Sequence, residues 1–413
     1  MFSRLLTFKE WRVWLKSLPI HFKLFVLIIL FRPVIDNFYY LKNLSPLASP
    51  LYWVGVLTPV IAFIAIFSGN KIKSRTDRFF NAWIFLLFIS SFFLIAASGI
   101  ELSAIEFFLK LTAPFYVYTI FRRMIHSRTA FLGLLTTFLF SAYIAYVIII
   151  YEEITGGINV SESRGLERYS GGFADVMNYA IYLLFGGLVI FYDFLTRQKS
   201  NKLLVLFGVL IIGLLNIKHT TSFIAFGILM MIFLRYIFLL KVKASNIIYA
   251  VGFISIVFAL SYGTIQSTVD PLVEKEQEII RGEREQSQMF HGRMSRWQWV
   301  WSEFKNSNII SQGFGYPLSG NSAYHMVGIN VHNDFLRILF ATGYLGIFFY
   351  ILFLVAQFKK SISIRDRAIR FLGISNLALL FVYSMTTLPM FYASMLYPIM
   401  MIFAYFALPR ESQ

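Results

Sequence analysis

There is no cysteine anywhere in the 413 residues. That excludes disulfides, thiol nucleophiles and cysteine-ligated metals, and it leaves the redox compartment undetermined. Charge is scarce as well: Asp, Glu, Lys and Arg together make up 14% of the chain, against 58% hydrophobic residues. With a mean hydropathy of +0.67, a soluble fold could not cover this much apolar side chain. Acidic residues are the rarer sign, 21 against 37 basic ones, for a formal charge of +16. The six histidines are scattered, no HExxH occurs, and the long loops between apolar runs hold no DxD-type carboxylate pair. No metal site is therefore readable, and with no GKS or GKT a nucleotide site is not supported either. No cleavable signal peptide is expected, since the start is basic and interrupted by Pro19. The first apolar run is expected to serve as an uncleaved signal-anchor.

What is present is hydrocarbon-soluble helix. Apolar runs of about 20 residues recur from end to end, each long enough to cross a ~30 Å hydrocarbon core. They do not alternate, which argues against a membrane barrel. The expectation is an all-α polytopic membrane protein, a single membrane domain over 1–413, with twelve spans. These fall at 22–40, 51–68, 79–97, 102–121, 129–150, 173–195, 202–217, 220–240, 246–264, 334–357, 369–387 and 390–408. Most of the 37 Lys and Arg residues sit in short loops and tails on one side, such as Lys71 to Arg78, Arg122 to Arg128 and Lys359 to Arg370. Short basic loops face the cytoplasm. Both termini are accordingly expected there, and the loops 151–172 and 265–333 on the outer face. This placement reads the positive charge as membrane topology rather than nucleic-acid binding.

Ionisable residues inside spans are costly and need partners or a wet cavity. Arg32 and Asp36 are four apart on the first span, as are Glu106 and Lys110 on the fourth, so each pair can share a helix face. They read either as internal ion pairs or as cations facing a cavity that takes an anionic ligand. In the first outer loop, Arg168, Gly171, Gly172, Asp175 and Asn178 carry polar character into the start of the sixth span. A surface loop with a glycine turn is one reading; a ligand contact by Arg168 is the other. Lys218 and His219 occupy a turn between the seventh and eighth spans, where a solvated turn explains them and a cationic partner for phosphate is the alternative.

The richest stretch is Arg293 to Gly346, within the last long loop and the span after it. A mixed-charge helical run, 270–288, opens the loop. In GRMSRWQWVWSEF, Arg293, Trp297 and Trp301 fall on one helical stripe, flanked by Arg296. With Trp favoured at headgroup level, the segment is expected to lie along the outer leaflet, where an Arg can fork onto phosphate oxygens. The alternative is an interfacial anchor only. A glycine-broken loop containing His325 then leads to His332, Asn333 and Asp334 at the lip of the tenth span. A histidine there is commonly structural, but with Asp334 and Arg337 nearby it is also a credible general base. Without a metal, arginines would have to stabilise a leaving diphosphate.

These residues resemble a family. His332-Asn333, nine residues, then Gly343-Tyr-Leu-Gly346 reads as HN-x9-GxxG and looks like the signature of bacterial O-antigen ligases and related polysaccharide polymerases. Gly292-Arg293 with Trp297, then Gly313 and Gly315, resemble that family's GR-x3-W element and G-x-G turn. Arg168-Tyr-Ser-Gly171 resembles its first outer loop. The resemblance implies a C-type glycosyltransferase fold that moves a glycan from undecaprenyl diphosphate to an acceptor hydroxyl on the periplasmic side of the inner membrane, without a metal or other cofactor. It makes His332 the catalytic base, has Arg293 and Arg168 hold the diphosphate, and has Asn333, Asp334, Arg296 and Trp297 in support. One departure stands out: Phe223 replaces the arginine of the family's T-x-SR-like element, and Lys218 is the substitute cation expected. Partners would be the lipid-linked donor, membrane lipids, and an acceptor that is either a lipid A core sugar (ligase) or a second lipid-linked glycan (polymerase). The HN-x9-GxxG pattern favours the ligase. A transporter or flippase of an anionic or lipid-linked solute is the competing class. It is disfavoured because matched interrupted half-helices are not evident and the candidate reactive groups lie at the outer surface.

Overall fold

The computed structural model describes residues 4–68, 74–99, 102–155, 160–163, 166–169, 173, 176–197, 217–240, 243–285, 289–319 and 331–409. An amphipathic helix α1 (Phe8–Ser17) precedes the membrane-length helices. Its start is closed by a reciprocal capping box: Thr7 accepts from the Glu10 N–H, and the Glu10 carboxylate accepts from the Thr7 N–H at 2.7 Å. That backbone bond, with the Thr7 hydroxyl and Arg4 beside it, holds the Glu10 carboxyl below its ordinary pKa.

Then follow α2 (Ile20–Asn37), α3 (Pro50–Ser68), α4 (Arg75–Ser98), α5 (Leu102–Met124), α6 (Arg128–Thr155) and α7 (Val176–Arg197). Between α6 and α7 the backbone forms a short antiparallel hairpin, β1 (Val160–Ser163) with β2 (Leu166–Tyr169), where a plain loop was expected. Next come α8 (Thr220–Leu239), α9 (Ala244–Ile280), α10 (Met289–Asn306), α11 (Ile309–Phe314), α12 (Asp334–Ser363), α13 (Arg367–Ser384) and α14 (Ala393–Phe406).

The architecture is that of an all-α polytopic membrane protein. Among the described residues nine helices are long and apolar enough to cross a membrane: α2 to α8, α12 and α13. The twelfth expected span is the shorter apolar α14. The ninth, 246–264, lies within α9, which does not stop at a loop boundary but runs on without interruption to Ile280. At 1.5 Å per residue its 37 residues extend about 55 Å, well beyond the hydrocarbon core. The seventh, 202–217, lies outside the described residues. The tenth is one helix with a break, since Gly343 takes the non-helical angles φ 68°, ψ −173°.

Long-range bonds show which helix ends share a level. At the end carrying the short basic loops, Arg122 grips Asp77, Arg128 pairs with Asp366, and Arg197 donates to the Leu5 carbonyl at 3.1 Å. At the opposite end, Ser394 donates to Asn178 at 2.7 Å and Tyr182 to Asp36 at 2.9 Å. The centre is filled by α7, buried along almost its whole length, and by α14, buried from Ser394 to Phe406. Phe131 stacks on Tyr405 at 3.9 Å between centroids, and Phe191 on Phe233 at 4.1 Å.

The shortness of α14 shapes the opposite end. Its 14 residues cover about 21 Å, against about 35 Å for the 23 residues of its neighbour α5. Both reach the basic end, where Arg122 of α5 donates to the Ala404 carbonyl. The turn joining α13 to α14 therefore sits well below the far end of α5, level with Phe107, whose ring meets Phe391 at 5.4 Å.

Candidate functional site

The recessed turn, Met385 to Tyr392, is the meeting point of the opposite end. Before it, Tyr383 shares a hydrogen bond with Ser222 of α8 at 2.8 Å, and Ser222 another with His219 Nδ1 at 2.7 Å. Within it, the Met390 N–H donates to Asp334 Oδ2 at 3.3 Å. Phe391 lies beneath the Arg337 guanidinium, 5.2 Å from its ring centroid. After it, Ser394 ties in α7 through Asn178. Little in MTTLPMFYAS marks this turn as a junction, because its ties to Asp334 and Arg337 come from a backbone N–H and an aromatic face.

His332 lies two residues before Asp334, which accepts from this turn, and is half-buried. Its backbone is left-handed, φ 51°, a conformation uncommon outside glycine. Both neighbours are pinned. Trp297 Nε1 of α10 donates to the Val331 carbonyl at 2.7 Å. The Asn333 side chain caps α12 by accepting from the Leu336 N–H at 3.0 Å. A residue caught between two fixed neighbours is held in its strained form, the usual circumstance in which such strain persists at working sites. The buried Asp334 carboxylate accepts twice from Arg337 on Oδ1, at 2.7 and 2.8 Å, and from Met390 on Oδ2. The pair locks the first turn of α12 to the recessed turn.

The glycines expected to make a mobile loop and a motif tail prove to interlock. Gly315 is left-handed at φ 125°, and a methyl group there would overlap the Ala341 carbonyl. A methyl on Gly343 would overlap the backbone of Gln312 and Gly313. The G-x-G turn and the GxxG segment thus approach backbone to backbone, where only glycine fits. Ser90 of α4 donates to the same Ala341 carbonyl, and Tyr316 stacks on Phe340 at 4.5 Å.

The face of α10 differs from the expected stripe. Trp297, Val300 and Phe304 pack toward α12, with Phe304 meeting Tyr344 at 5.2 Å, and the half-buried Arg293 lies one turn before Trp297. Trp301, placed on that stripe by spacing, is 43% exposed, and Arg296 points outward. Lys218 lies in the turn before α8 with a left-handed φ of 48°. Arg168 is in β2 opposite Ser161, with only its backbone described. Gly171, Asp175 and His325 lie outside the described residues. The structure bonds Asp334 to Arg337, anchors Trp297 on Val331 and Asn333 on Leu336 to either side of His332, and leaves Arg293 a helical turn before Trp297. Among the described residues no group of three or more His, Asp or Glu side chains is placed to hold a metal.

Residues 204–351 match the O-antigen ligase family. The match takes in α8 to α11 and the greater part of α12, and so includes Lys218, Arg293, Arg296, Trp297, His332, Asn333 and Asp334, while Arg168 precedes it. It bears out the resemblance read from HN-x9-GxxG. No curated protein matches the chain significantly. The O-antigen ligase match supports a membrane enzyme of ligase or polymerase type acting on lipid-linked glycans. Both glycine elements and the Trp297–Val331 bond fall inside the matched segment. Within the matched segment, then, the glycine elements make close backbone approaches between 312–315 and 341–343.

Proposed function

We propose that the protein transfers a glycan from undecaprenyl diphosphate to an acceptor hydroxyl at the end of the bundle opposite the basic loops, the periplasmic face of the inner membrane. The observation that carries this reading is the O-antigen ligase match enclosing a histidine whose backbone is held left-handed between two anchored residues. In this mechanism His332 takes the proton of the acceptor hydroxyl as that oxygen bonds to the sugar's anomeric carbon. The bond from that carbon to the diphosphate oxygen breaks, and undecaprenyl diphosphate leaves as an anion. Arg293, Arg168 and Lys218 hold the departing charge, in the role a divalent cation fills elsewhere. A positioned base is worth typically about 10²–10⁴-fold. Asp334, with Arg337, supports the site by fixing α12; Arg296 and Trp297 support it from α10, and Asn333 by its cap.

The ligase reading, with a lipid A core sugar as acceptor, is preferred on the HN-x9-GxxG pattern. The same donor chemistry serves a polymerase that extends a lipid-linked repeat. Purified protein in detergent, given a lipid-linked donor without added divalent metal, is expected to glycosylate lipid A core and to leave a second lipid-linked repeat unextended. Extension of the repeat with no transfer to core would make it a polymerase. Failure with both acceptors, in protein that is folded and binds donor, would remove the transferase reading.

A further inference from the structure

The sequence left two membrane cations, Arg32 and Lys110, as equal candidates to meet an anion, and their surroundings separate them. The Arg32–Asp36 pair is closed. Its side chains are 13% and 10% exposed, the Asp36 oxygens are taken by Arg32 at 2.7 Å and Tyr182 at 2.9 Å, and Tyr397 lies 5.8 Å from the guanidinium. That is a strut between α2, α7 and α14. The Glu106–Lys110 pair is open, with side chains 35% and 47% exposed. Tyr52 donates to Glu106 Oε2 at 2.9 Å and Lys110 to Oε1, so the carboxylate is engaged on both oxygens. An ammonium has three donors, and among the described residues Glu106 is the hydrogen-bond acceptor of that of Lys110.

Lys110 is eight residues into α5, about 12 Å below its outer end. An exposed ammonium at that depth is costly against lipid tails and comes to rest where it meets water or an anion. Its position points to the site. Lys110 stands 5.8 Å from the centroid of Phe391, the same ring that Arg337 covers at 5.2 Å, and Arg337 holds Asp334, two residues from His332.

We propose that Lys110 is a phosphate-binding cation on the flank of the recess, and that it receives the phosphate head of an anionic lipid beside the α13–α14 turn. Glu106 and Tyr52 keep the ammonium upright while that position is empty. The phosphate belongs either to a polyprenyl diphosphate or to a membrane phospholipid. The proposal rests on the transferase reading only for the first of these.

The test uses the full chain in phosphatidylcholine nanodiscs, with two probes: glycan-free undecaprenyl diphosphate, and phosphatidylglycerol. Lys110→Gln is expected to weaken retention of at least one probe by about tenfold, the scale of a charge-assisted hydrogen bond. Glu106→Gln, which releases the ammonium, should strengthen the same probe. Lys359→Gln, an exposed lysine at the far end of α12, is the control and should change neither. Loss confined to the diphosphate assigns the position to a polyprenyl carrier, and loss confined to phosphatidylglycerol assigns it to a phospholipid. Unchanged retention of both probes in Lys110→Gln overturns the proposal. If that variant does not fold, Glu106→Gln decides, and unchanged or weaker retention there overturns it equally. Because binding is read without turnover, a protein that transfers no glycan can still pass or fail.

Discussion

The two ends of the bundle are built on different terms. At the basic end Arg122 and Arg128 are paired across helices, and none of the described residues with left-handed φ lies there. Arg122 reaches Asp77 through two nitrogens at 3.0 and 2.8 Å while Tyr118 donates to the same carboxylate, and Asp366 caps α13 while pairing with Arg128. At the opposite end lie all the described residues with left-handed φ: Gly99, Lys218, Gly282, Gly315, His332 and Gly343. One end fastens helices to one another. The other spends conformational energy to hold particular groups where relaxed chain would not put them, the pattern expected of a working surface. Substitutions at the strained end should therefore alter turnover more than stability, and those at the basic end the reverse.

His332 gives the largest separation. His332→Ala should lose transfer by about 10²–10⁴-fold, with insertion and donor binding retained. His332→Asn is sharper, because asparagine tolerates left-handed backbone and hydrogen-bonds, yet takes up no proton. It should match the wild-type melting temperature and be inactive. Wild-type transfer by that variant, measured with a lipid-linked donor, would reduce His332 to a structural cap and dissolve the contrast between the ends.

Arg293→Lys comes next. The charge remains, but the planar fork that grips two phosphate oxygens is lost, so transfer should drop by about tenfold at unchanged expression. Full activity would mean that Arg293 only steadies α10.

Asp77→Asn probes the basic end. It leaves Arg122, whose side chain is 8% exposed, without its anion, and breaking such a pair costs about 3 kcal/mol. The melting temperature should fall while turnover per folded molecule holds. A selective loss of turnover would show that the ends are not separable.

The smallest effect belongs to Trp297→Phe, which keeps the ring but removes the donor to Val331. About 1 kcal/mol of stability is at stake. A lowered kcat with unchanged donor binding would show that this bond holds His332 in place; a change in melting temperature alone would show that it merely packs α10.

The layout of apolar helices was legible because span length and basic loops follow from hydrocarbon thickness and topology, which act on short stretches of chain. The HN-x9-GxxG and G-x-G elements were legible too, but not their relation. That Gly315 abuts Ala341 while Gly343 abuts Gln312 and Gly313 is a contact between segments far apart in the chain, and spacing within either segment is silent about it. Gly343 inside an apolar run looks like a small helix residue, so the break in α12 left no sign. Periodicity placed Trp301 beside Trp297, whereas packing against Phe340 and Tyr344 turned α10 toward Val300 and Phe304. Asp334 was read as a support of His332, and only the fold shows Met390 and Arg337 at its carboxylate.

Helix α14 bears on how the molecule is made. It leaves the ribosome after every other described helix, yet it occupies the middle, buried from Ser394 to Phe406 and touching α5, α6, α7, α12 and α13. Until it arrives, the earlier helices surround a vacant slot, and neither Met390 nor Phe391 is available to seat Asp334 and Arg337. Assembly of the outer cluster is thereby postponed until α14 has emerged. A nascent chain halted before residue 385 would already be threaded through the bilayer, but without the recessed turn whose Met390 N–H holds Asp334.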